Sequence, residues 1–483
     1  MVFSSASFLF LFLPILFIVY TVIPSLKAQN VLLTVASLIF YAFGEPVFVF
    51  LMIGSVYVNY LLARGVVRFP DYGKFIVGIS VVWNLGIIGV FKYSGFIASV
   101  ITSWTGITID LPRIPVPGVG SVVLGSVMPI GISFFTFQIL SYVIDVYREP
   151  EILEKNFGKV LLYISFFPQL IAGPIVKYHD VRQYISDRRQ EPDEVIRGIR
   201  RFIVGMGKKL FLANTMGEMA AVVFNADTGV LSVPLVWLGA VCYTLEIFFD
   251  FSGYSDMAIG LGHMFGFTFK ENFNHPYIST GMKEFWRRWH ISLSTWFKEY
   301  LYIPLGGNRK GKTRTMINKL IVFFCTGFWH GASWNFIVWG MVHGLSMVFE
   351  DALDLKDRLA KHRWIGWIYT MLIVTCAFVL FNAGTLTHAG AMLAKMFAGP
   401  MATPEASAML AKVLTPYHIF MFILSIIGCL PVADICRHCI EEYFPDKKET
   451  CHALTYLLAM VLLVLCIFNL ANASYNPFIY FRF

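Results

Sequence analysis

Two histidines in apolar surroundings, His290 and His330, are the residues of this chain best suited to chemistry. His290 ends the run Phe285-Trp-Arg-Arg-Trp-His290, and His330 lies within Phe328-Trp-His-Gly-Ala-Ser-Trp-Asn335. An ionisable ring is unfavourable in hydrocarbon and usually marks a pathway or a reactive site there. Histidine also exchanges a proton near neutral pH more readily than other side chains. The residues alone leave two readings open: catalytic groups, or rings that are hydrogen-bonded within a helix bundle.

Other polar side chains could support these histidines. Trp329 and Asn335 lie beside His330, and either of their N–H groups, or His290, could stabilise an oxyanion. Asp250 and Asp256 follow an apolar run and are expected to be buried. Because a buried carboxylate needs an ion pair or hydrogen bonds, we expect these acids to anchor basic residues of segment 283–319 or to form a structural polar cluster.

The composition predicts an all-α polytopic membrane protein. Of 483 residues, 57% are hydrophobic and 14% are charged, whereas an average soluble domain has about 25% charged residues. The mean hydropathy is +0.66. At about 20 residues per crossing, the apolar stretches predict about nine to twelve crossings with additional re-entrant pieces. The stretch Phe8 to Ile23 has no preceding basic residue and is predicted to be a retained first span.

Basic residues predict the orientation. The net charge of +8 is concentrated in two blocks, 177–209 with nine Lys/Arg against five acids and 283–319 with nine against two. Both are expected on the cytoplasmic side by the positive-inside rule, so the charge does not indicate nucleic-acid binding. The Gly/Pro-rich segment 103–124 is expected outside. Segment 157–175 lies between basic regions and is predicted to be a re-entrant or paired short helix.

Two helices are predicted to carry the histidines. On a helical wheel, residues 283–300 form one amphipathic helix with an apolar Trp-rich stripe, and His290 falls at its edge. The run 321–340 is apolar on all sides and is predicted to be buried. Its pair Gly327 and Gly331, with Gly340 and Gly344, would allow close contact between helices. His343, thirteen residues after His330, is expected to be structural.

Motifs for other chemistries are missing from the sequence. It has no Walker A loop, GxSxG elbow, HExxH or Rossmann fingerprint, so primary active transport is not indicated. Cys436, His438 and Cys439 with Cys451 and His452 resemble a metal site only faintly. We expect reduced, incidental thiols there, no metal and no bound cofactor.

Several segments resemble the membrane-bound O-acyltransferase (MBOAT) superfamily, over nearly the whole chain and more weakly after about residue 350. Within it, the similarity is greater to the bacterial branch that O-acetylates alginate than to the branch that D-alanylates teichoic acid. The segments that carry the resemblance are Met128-Pro-Ile-Gly-Ile-Ser-Phe-Phe-Thr-Phe-Gln138, Phe166-Phe-Pro-Gln-Leu-Ile-Ala-Gly-Pro174, Asp250-Phe-Ser-Gly-Tyr-Ser-Asp256, Phe285-Trp-Arg-Arg-Trp-His290, Tyr300-Leu-Tyr-Ile-Pro-Leu-Gly-Gly-Asn-Arg309 and Phe328-Trp-His-Gly-Ala-Ser-Trp-Asn335.

The resemblance implies roles for both histidines. His330 would be the family's essential histidine and His290 its second active-site histidine. The sequence has no long linker, repeat or low-complexity segment, which predicts a single membrane domain over residues 1–483. The resemblance implies that in this domain a helical bundle with re-entrant helices surrounds a funnel or tunnel. An acyl donor would arrive from the cytoplasm, and the acceptor would lie outside.

The leading hypothesis is an O-acetyltransferase of the bacterial inner membrane. It would use acetyl-CoA as a donor substrate, with His330 as general base, and it would act with an extracytoplasmic acetyltransferase partner on an alginate-like exopolysaccharide or another surface glycan. One alternative is D-alanyl or other acyl transfer to teichoic acid. Another is a proton-coupled transporter with the histidines as a proton relay.

Overall fold

The computed structural model describes residues 1–116, 120–125, 128–472 and 478–479. The chain forms two compact units: the first comprises Met1–Ile199 and Ala258–Lys270, and the second comprises Arg200–Met257 and Glu271–Phe483. Both units are helical. The predicted all-α membrane fold is confirmed, with one short β-hairpin as an addition. The single membrane domain over residues 1–483 stays a prediction.

The first unit is built around aromatic packing near the chain start. Phe3 packs on Phe8 at 5.1 Å between ring centroids, and Phe40 packs on Phe167 at 5.5 Å. Its helices, including α10, which continues into the second unit, are α1 Leu13–Val22, α2 Leu26–Ala42, α3 Phe48–Arg68, α4 Gly73–Ile88, α5 Ser94–Thr105, α6 Ile132–Arg148, α7 Phe157–Ser165, α8 Phe167–Leu170, α9 Tyr178–Ser186 and α10 Pro192–Gly207. Strands β1 Arg113–Val116 and β2 Gly120–Val123 pair antiparallel, with Arg113 opposite Val123.

The second unit contains both histidine motifs. Side chains of Thr385, Thr403 and Thr415 cap the N-termini of three of its helices, which satisfies backbone N–H groups that would otherwise lack partners. Its helices, including α12, whose last turns belong to the first unit, are α11 Asn214–Phe224, α12 Val233–Met264, α13 Met282–Arg288, α14 Ile291–Phe297, α15 Gly311–His330, α16 Trp334–Ala352, α17 Leu355–Lys361, α18 Arg363–Asn382, α19 Leu386–Ala398, α20 Pro404–Val413, α21 Pro416–Gly428, α22 Val432–Tyr443 and α23 Lys448–Asn472.

Short 3₁₀ and π-helical turns join several of these helices. The 3₁₀ turns are Pro70–Tyr72, Pro150–Ile152, Thr228–Val230, Pro276–Ile278 and Pro445–Lys447, and the π-helical turns are Phe8–Phe12, Gly89–Tyr93, Lys208–Ala213 and Lys298–Tyr302.

Fewer helices than expected are long enough to cross a membrane. Among the described residues, five meet the length and composition of a span: Phe48–Arg68, Pro70–Thr105, Val233–Met264, Arg363–Asn382 and Glu449–Ala471. A sixth span would consist of α20 and α21, which are bent by 74° at their junction. The expected nine to twelve crossings are not reached because other apolar stretches form shorter or interrupted helices. One of these is segment 157–175, which forms two short helices, α7 and α8, as predicted.

A tight hairpin of α15 and α16 carries the second histidine motif. Only Gly331, Ala332 and Ser333 separate the two helices. A Cβ atom added at Gly327 would collide with the carbonyl oxygen of Phe336, and one added at Gly340 would collide with that of Phe323. The predicted close contact through small residues is therefore confirmed.

Candidate active site

His290 lies at a break between two short helices. Helix α13 ends at Arg288, Trp289 is extended, and His290 has φ 43° and ψ 57°, in the left-handed region, before α14 begins. The prediction of one continuous amphipathic helix over 283–300 is therefore wrong. Tertiary hydrogen bonds explain the break: Asn274 N–H donates to the Arg288 carbonyl at 2.9 Å, and Ile291 N–H donates to the Asn272 carbonyl at 2.9 Å.

The side chain of Asn272 orients the His290 ring. Its Oδ1 atom accepts hydrogen bonds from Ser292 N–H at 3.2 Å and from Ser292 Oγ–H at 2.9 Å. Its Nδ2 atom donates to Ser255 Oγ at 3.1 Å. A backbone N–H can only donate, so the amide oxygen must face Ser292. The same oxygen lies 3.2 Å from His290 Nδ1.

This geometry determines the tautomer of His290. Because Oδ1 of Asn272 accepts, Nδ1 of the neutral ring carries the proton, and Nε2 holds the lone pair. His290 is fully buried, and its Nε2 makes no hydrogen bond to any described residue. The ring packs edge-to-face on Phe251 at 4.6 Å. A buried acceptor nitrogen held in a fixed orientation suits a group that receives a proton from a substrate.

His330 is the last residue of α15 and lies in an aromatic cluster. Its ring is 4% exposed. It packs edge-to-face with Trp329 at 4.9 Å, with Trp339 at 4.9 Å and with Phe381 at 5.5 Å between centroids. The neighbouring rings hold the imidazole and exclude water from it.

Trp329 connects the two histidines. Its ring centroid lies 6.3 Å from that of His290 and 4.9 Å from that of His330. The structure thus brings both predicted histidines together around one indole, which belongs to the predicted supporting residues. His343, which was expected to be structural, is fully buried between Trp286 at 5.2 Å and Trp339 at 4.9 Å.

The other predicted supporting residues have structural partners. Asn335 donates its Nδ2–H to the Ala383 carbonyl, which ties α16 to the end of α18. Asp250 forms a buried ion pair with Lys209 at 2.5 Å, and its second oxygen accepts Ile479 N–H at 2.8 Å.

Asp256 pairs with two basic residues that lie close in sequence to Lys209, the partner of Asp250. It pairs with Arg201 at 2.9 Å and Lys208 at 2.6 Å. The expectation that Asp250 and Asp256 anchor residues of 283–319 is therefore wrong, and the structural polar cluster is the reading that the contacts favour. The backbones of α10 and α12 approach closely at Gly205 and Gly253. This contact brings the basic side chains near Gly205 to the two acids of α12.

A cavity of about 790 Å³ opens beside the histidines. Its apolar walls include Trp286, Phe323 and Leu293, and its charged lining consists of Lys283, Arg287, Lys298, Lys319, Glu284 and Glu350. Ser294 and Thr326 line it as well. Ser294 lies four residues after His290 and donates its N–H to the His290 carbonyl at 3.1 Å. Thr326 lies four residues before His330 on α15, one helical turn of about 5.4 Å away.

Two of the basic side chains lining this cavity have no ion pair within the described ranges. Lys283 and Lys319 both pair with Asp351, whereas Arg287 and Lys298 are exposed, and no such partner is found for them. The cavity thus presents two uncompensated positive charges.

The acid Glu284, which also lines the cavity, does not neutralise these charges. Burial alone would raise its pKa, but hydrogen bonds from Thr280 and Arg288 outweigh that effect and hold the pKa below its ordinary value. Its negative charge is matched by Arg288, at 3.0 Å. Four basic and two acidic side chains line the cavity, so its net charge is positive, which favours an anionic ligand.

The sequence did not predict that Asn272 orients His290 or that Trp286 lines the cavity. Asn272 lies in Glu271-Asn-Phe-Asn-His275, where no spacing or hydrophobic pattern distinguishes it. Trp286 was assigned to an apolar stripe because the helix was expected to be continuous. For Asn272, the available signal in the sequence was a polar residue shortly before a turn pattern at Pro276.

Comparisons with known proteins agree with the resemblance. The family described as "MBOAT, membrane-bound O-acyltransferase family" matches residues 132–386. A probable alginate O-acetylase, AlgI, of Pseudomonas putida is 37% identical over the whole of both chains. The peptidoglycan O-acetyltransferase of Helicobacter pylori is 33% identical over 80% of this chain and 78% of its own. The teichoic acid D-alanyltransferase of Streptococcus thermophilus is 30% identical over 52% of this chain and 68% of its own.

The family match includes the region that holds both histidines, the Trp329 ring between them and the cavity. It extends over more than half of the chain, and the first relative is similar from end to end. This chain therefore belongs to the membrane-bound O-acyltransferase family.

Proposed function

We propose that this protein transfers acetyl groups from cytoplasmic acetyl-CoA towards a polysaccharide outside the bacterial inner membrane. The observation that carries the proposal is the placement of His290 and His330 around Trp329, each one helical turn from a residue that lines the cationic cavity. End-to-end similarity to an alginate O-acetylase favours acetyl over D-alanyl transfer, since the D-alanyltransferase matches only 52% of the chain.

The cavity suits a donor that has both phosphates and an uncharged arm. Arg287 and Lys298 offer positive charge for the phosphate groups of coenzyme A. Trp286, Phe323 and Leu293 offer apolar surface for the pantetheine arm. The thioester would then lie at the inner end, towards the histidines.

The chemistry requires one base and one oxyanion site. His330 takes the proton of the acceptor hydroxyl, and the hydroxyl oxygen attacks the carbonyl carbon of the thioester. The resulting oxyanion collapses, the carbon–sulfur bond breaks, and the coenzyme A thiolate receives the proton from the imidazolium of His330. His290, with Nε2 as a fixed acceptor, is the second proton-accepting group and orients the reacting hydroxyl. The indole N–H of Trp329 is the candidate donor to the oxyanion.

Radiolabelled acetyl-CoA and purified membranes provide the test. Label should enter an acceptor with the unsubstituted protein, and His330→Ala should reduce this by about 10²- to 10⁴-fold, the usual contribution of a general base. His290→Ala should retain more activity. His388→Ala is the matched control, because His388 lies on α19 outside the aromatic cluster. Loss of folded protein in His330→Ala, without loss of activity per folded molecule, would contradict the assignment.

A further inference from the structure

The indole of Trp286 lies between the cavity and the ring cluster around His330. Trp286 lines the cavity and is 6% exposed. Its ring packs on Phe323 at 5.1 Å, on His343 at 5.2 Å and on Trp339 at 5.9 Å. Trp339 in turn packs on His330 at 4.9 Å. Aromatic rings therefore occupy the interval between the cavity and His330.

The cavity ends just before both histidines. Its described lining includes Ser294 and Thr326 but neither His290 nor His330. A donor that fills the cavity must move its acyl group across the one helical turn that separates the lining residues Ser294 and Thr326 from the histidines. Trp286 lines the cavity and packs on Trp339, which contacts His330.

Trp286 is better placed for this role than its neighbours. Trp339 is 1% exposed and does not line the cavity, so its removal would leave an enclosed void. Phe323 lies in the α15–α16 contact, where a Cβ atom added at Gly344 would be 2.9 Å from the Phe323 Cβ. Trp286 belongs instead to the short helix α13. The N-terminus of α13 is held by Glu350, which accepts Met282 N–H at 2.5 Å.

An unsatisfied donor provides a second, independent observation. The Nε1–H group of Trp286 is buried and makes no hydrogen bond to any residue that the structure describes. A buried donor without an acceptor is unfavourable, and a ligand acceptor that reaches it when the ring turns towards the cavity would satisfy it. Carbonyl oxygens of a thioester donor and of its pantetheine amides are such acceptors.

We propose that Trp286 is the size filter of the donor site: its indole narrows the passage to His330 so that a two-carbon acyl group passes and longer acyl groups do not, while its Nε1–H binds a donor carbonyl. This inference rests on the proposed function, since it assumes that an acyl-CoA enters the cavity. A pocket discriminates between chains that differ by one methylene by about 10- to 200-fold, which sets the scale of the effect.

The experiment compares acetyl-CoA, butyryl-CoA and hexanoyl-CoA as donors in purified membranes. In Trp286→Ala the butyryl-to-acetyl ratio of kcat/KM should rise by about tenfold or more, and in Trp286→Phe it should rise less. Phe297→Ala is the matched control. It removes an aromatic ring that lines the same cavity and packs on Trp296 at 5.5 Å between ring centroids. Its donor ratio should stay unchanged.

The outcomes separate the filter from the proposed function. An unchanged ratio in Trp286→Ala, with an active unsubstituted protein, overturns the filter alone. If folded Trp286→Ala and Trp286→Phe both lose transfer from every donor, Trp286 takes part in the chemistry and the filter is also overturned. No acetyl transfer by the unsubstituted protein overturns the donor assignment and the filter with it. Thermal unfolding of each variant establishes which of them are folded.

Discussion

Asn272 Oδ1 lies 3.2 Å from His290 Nδ1, and this contact decides which nitrogen of the ring can accept a proton. The same oxygen is fixed by the backbone N–H of Ser292 at 3.2 Å. The amide therefore acts on His290 in two ways: it sets the tautomer, and it ties the ring to a rigid turn. Asn272 is a positioning residue for this histidine.

Asn272→Ala should reduce acetyl transfer by about 10- to 100-fold, the range seen when the orienting partner of a metal-ligating histidine is removed. Asn272→Asp keeps the acceptor oxygen and should retain more activity. Its carboxylate stabilises the imidazolium, so the acid limb of the pH–rate profile should move to higher pH. Asn274→Ala is the control, because its described contacts use only backbone atoms. A profile that does not move in Asn272→Asp would exclude coupling to His290.

Asp250→Ala should lower stability rather than catalysis. It leaves Lys209 buried without its carboxylate partner, which generally costs about 3–5 kcal/mol. We expect less folded protein in membranes and a lower unfolding temperature, with acetyl transfer per folded molecule nearly unchanged. The double variant Lys209→Met with Asp250→Leu should recover much of the lost stability. Full loss of transfer in a stably folded Asp250→Ala protein would instead assign this acid to the reaction.

Gly340→Ala should destabilise the α15–α16 hairpin by about 1–3 kcal/mol, since the added methyl group overpacks a closed contact. His330 lies at the tip of this hairpin, so transfer activity should fall as well. Gly390→Ala is the matched control on α19, where an added Cβ meets no atom within 4 Å. There the change should raise helix stability by about 0.5–1 kcal/mol. Equal unfolding temperatures for the two variants would refute the packing argument.

Cysteine labelling tests the orientation predicted from charge. Lys310→Cys, in the basic block 283–319, should be protected from a membrane-impermeant maleimide added outside. Thr108→Cys, in segment 103–124, should be modified under the same conditions. Both positions are exposed. Labelling of Lys310→Cys from outside would reverse the proposed donor side.

Polymer acetylation should require a second protein outside the membrane. The described cavity of about 790 Å³ suits one small donor, and the segment 103–124 is too short to form a carbohydrate-binding domain. Liposomes that contain the purified chain and acetyl-CoA, with polysaccharide outside, should show little polymer acetylation until the extracytoplasmic partner is added. Robust acetylation by the chain alone would disprove the requirement.

The sequence predicted what depends on residue type and local pattern. The helical membrane fold, the glycine contacts of α15 and α16 and the short helices in 157–175 all follow from apolar runs and small residues. The break at His290 could not be predicted, because it is stabilised by hydrogen bonds to Asn272 and Asn274 from a separate segment. The partners of Asp250 and Asp256 were assigned wrongly for the same reason: the packing of α10 on α12, rather than any spacing, brings Lys209 and Arg201 to these acids.

The left-handed backbone of His290 has a consequence for how this protein can change. Most residues with a Cβ atom are disfavoured at φ 43°, and asparagine, aspartate and histidine are the side chains that adopt this region most often. His290→Asn should therefore keep the turn, whereas His290→Val should strain it and unfold at a lower temperature than His290→Asn. Selection for thermal stability alone should tolerate asparagine at this position better than valine, whereas selection for acyl transfer should retain histidine. Deep mutational scanning under these two regimes would separate the backbone requirement at this one position from the chemical one.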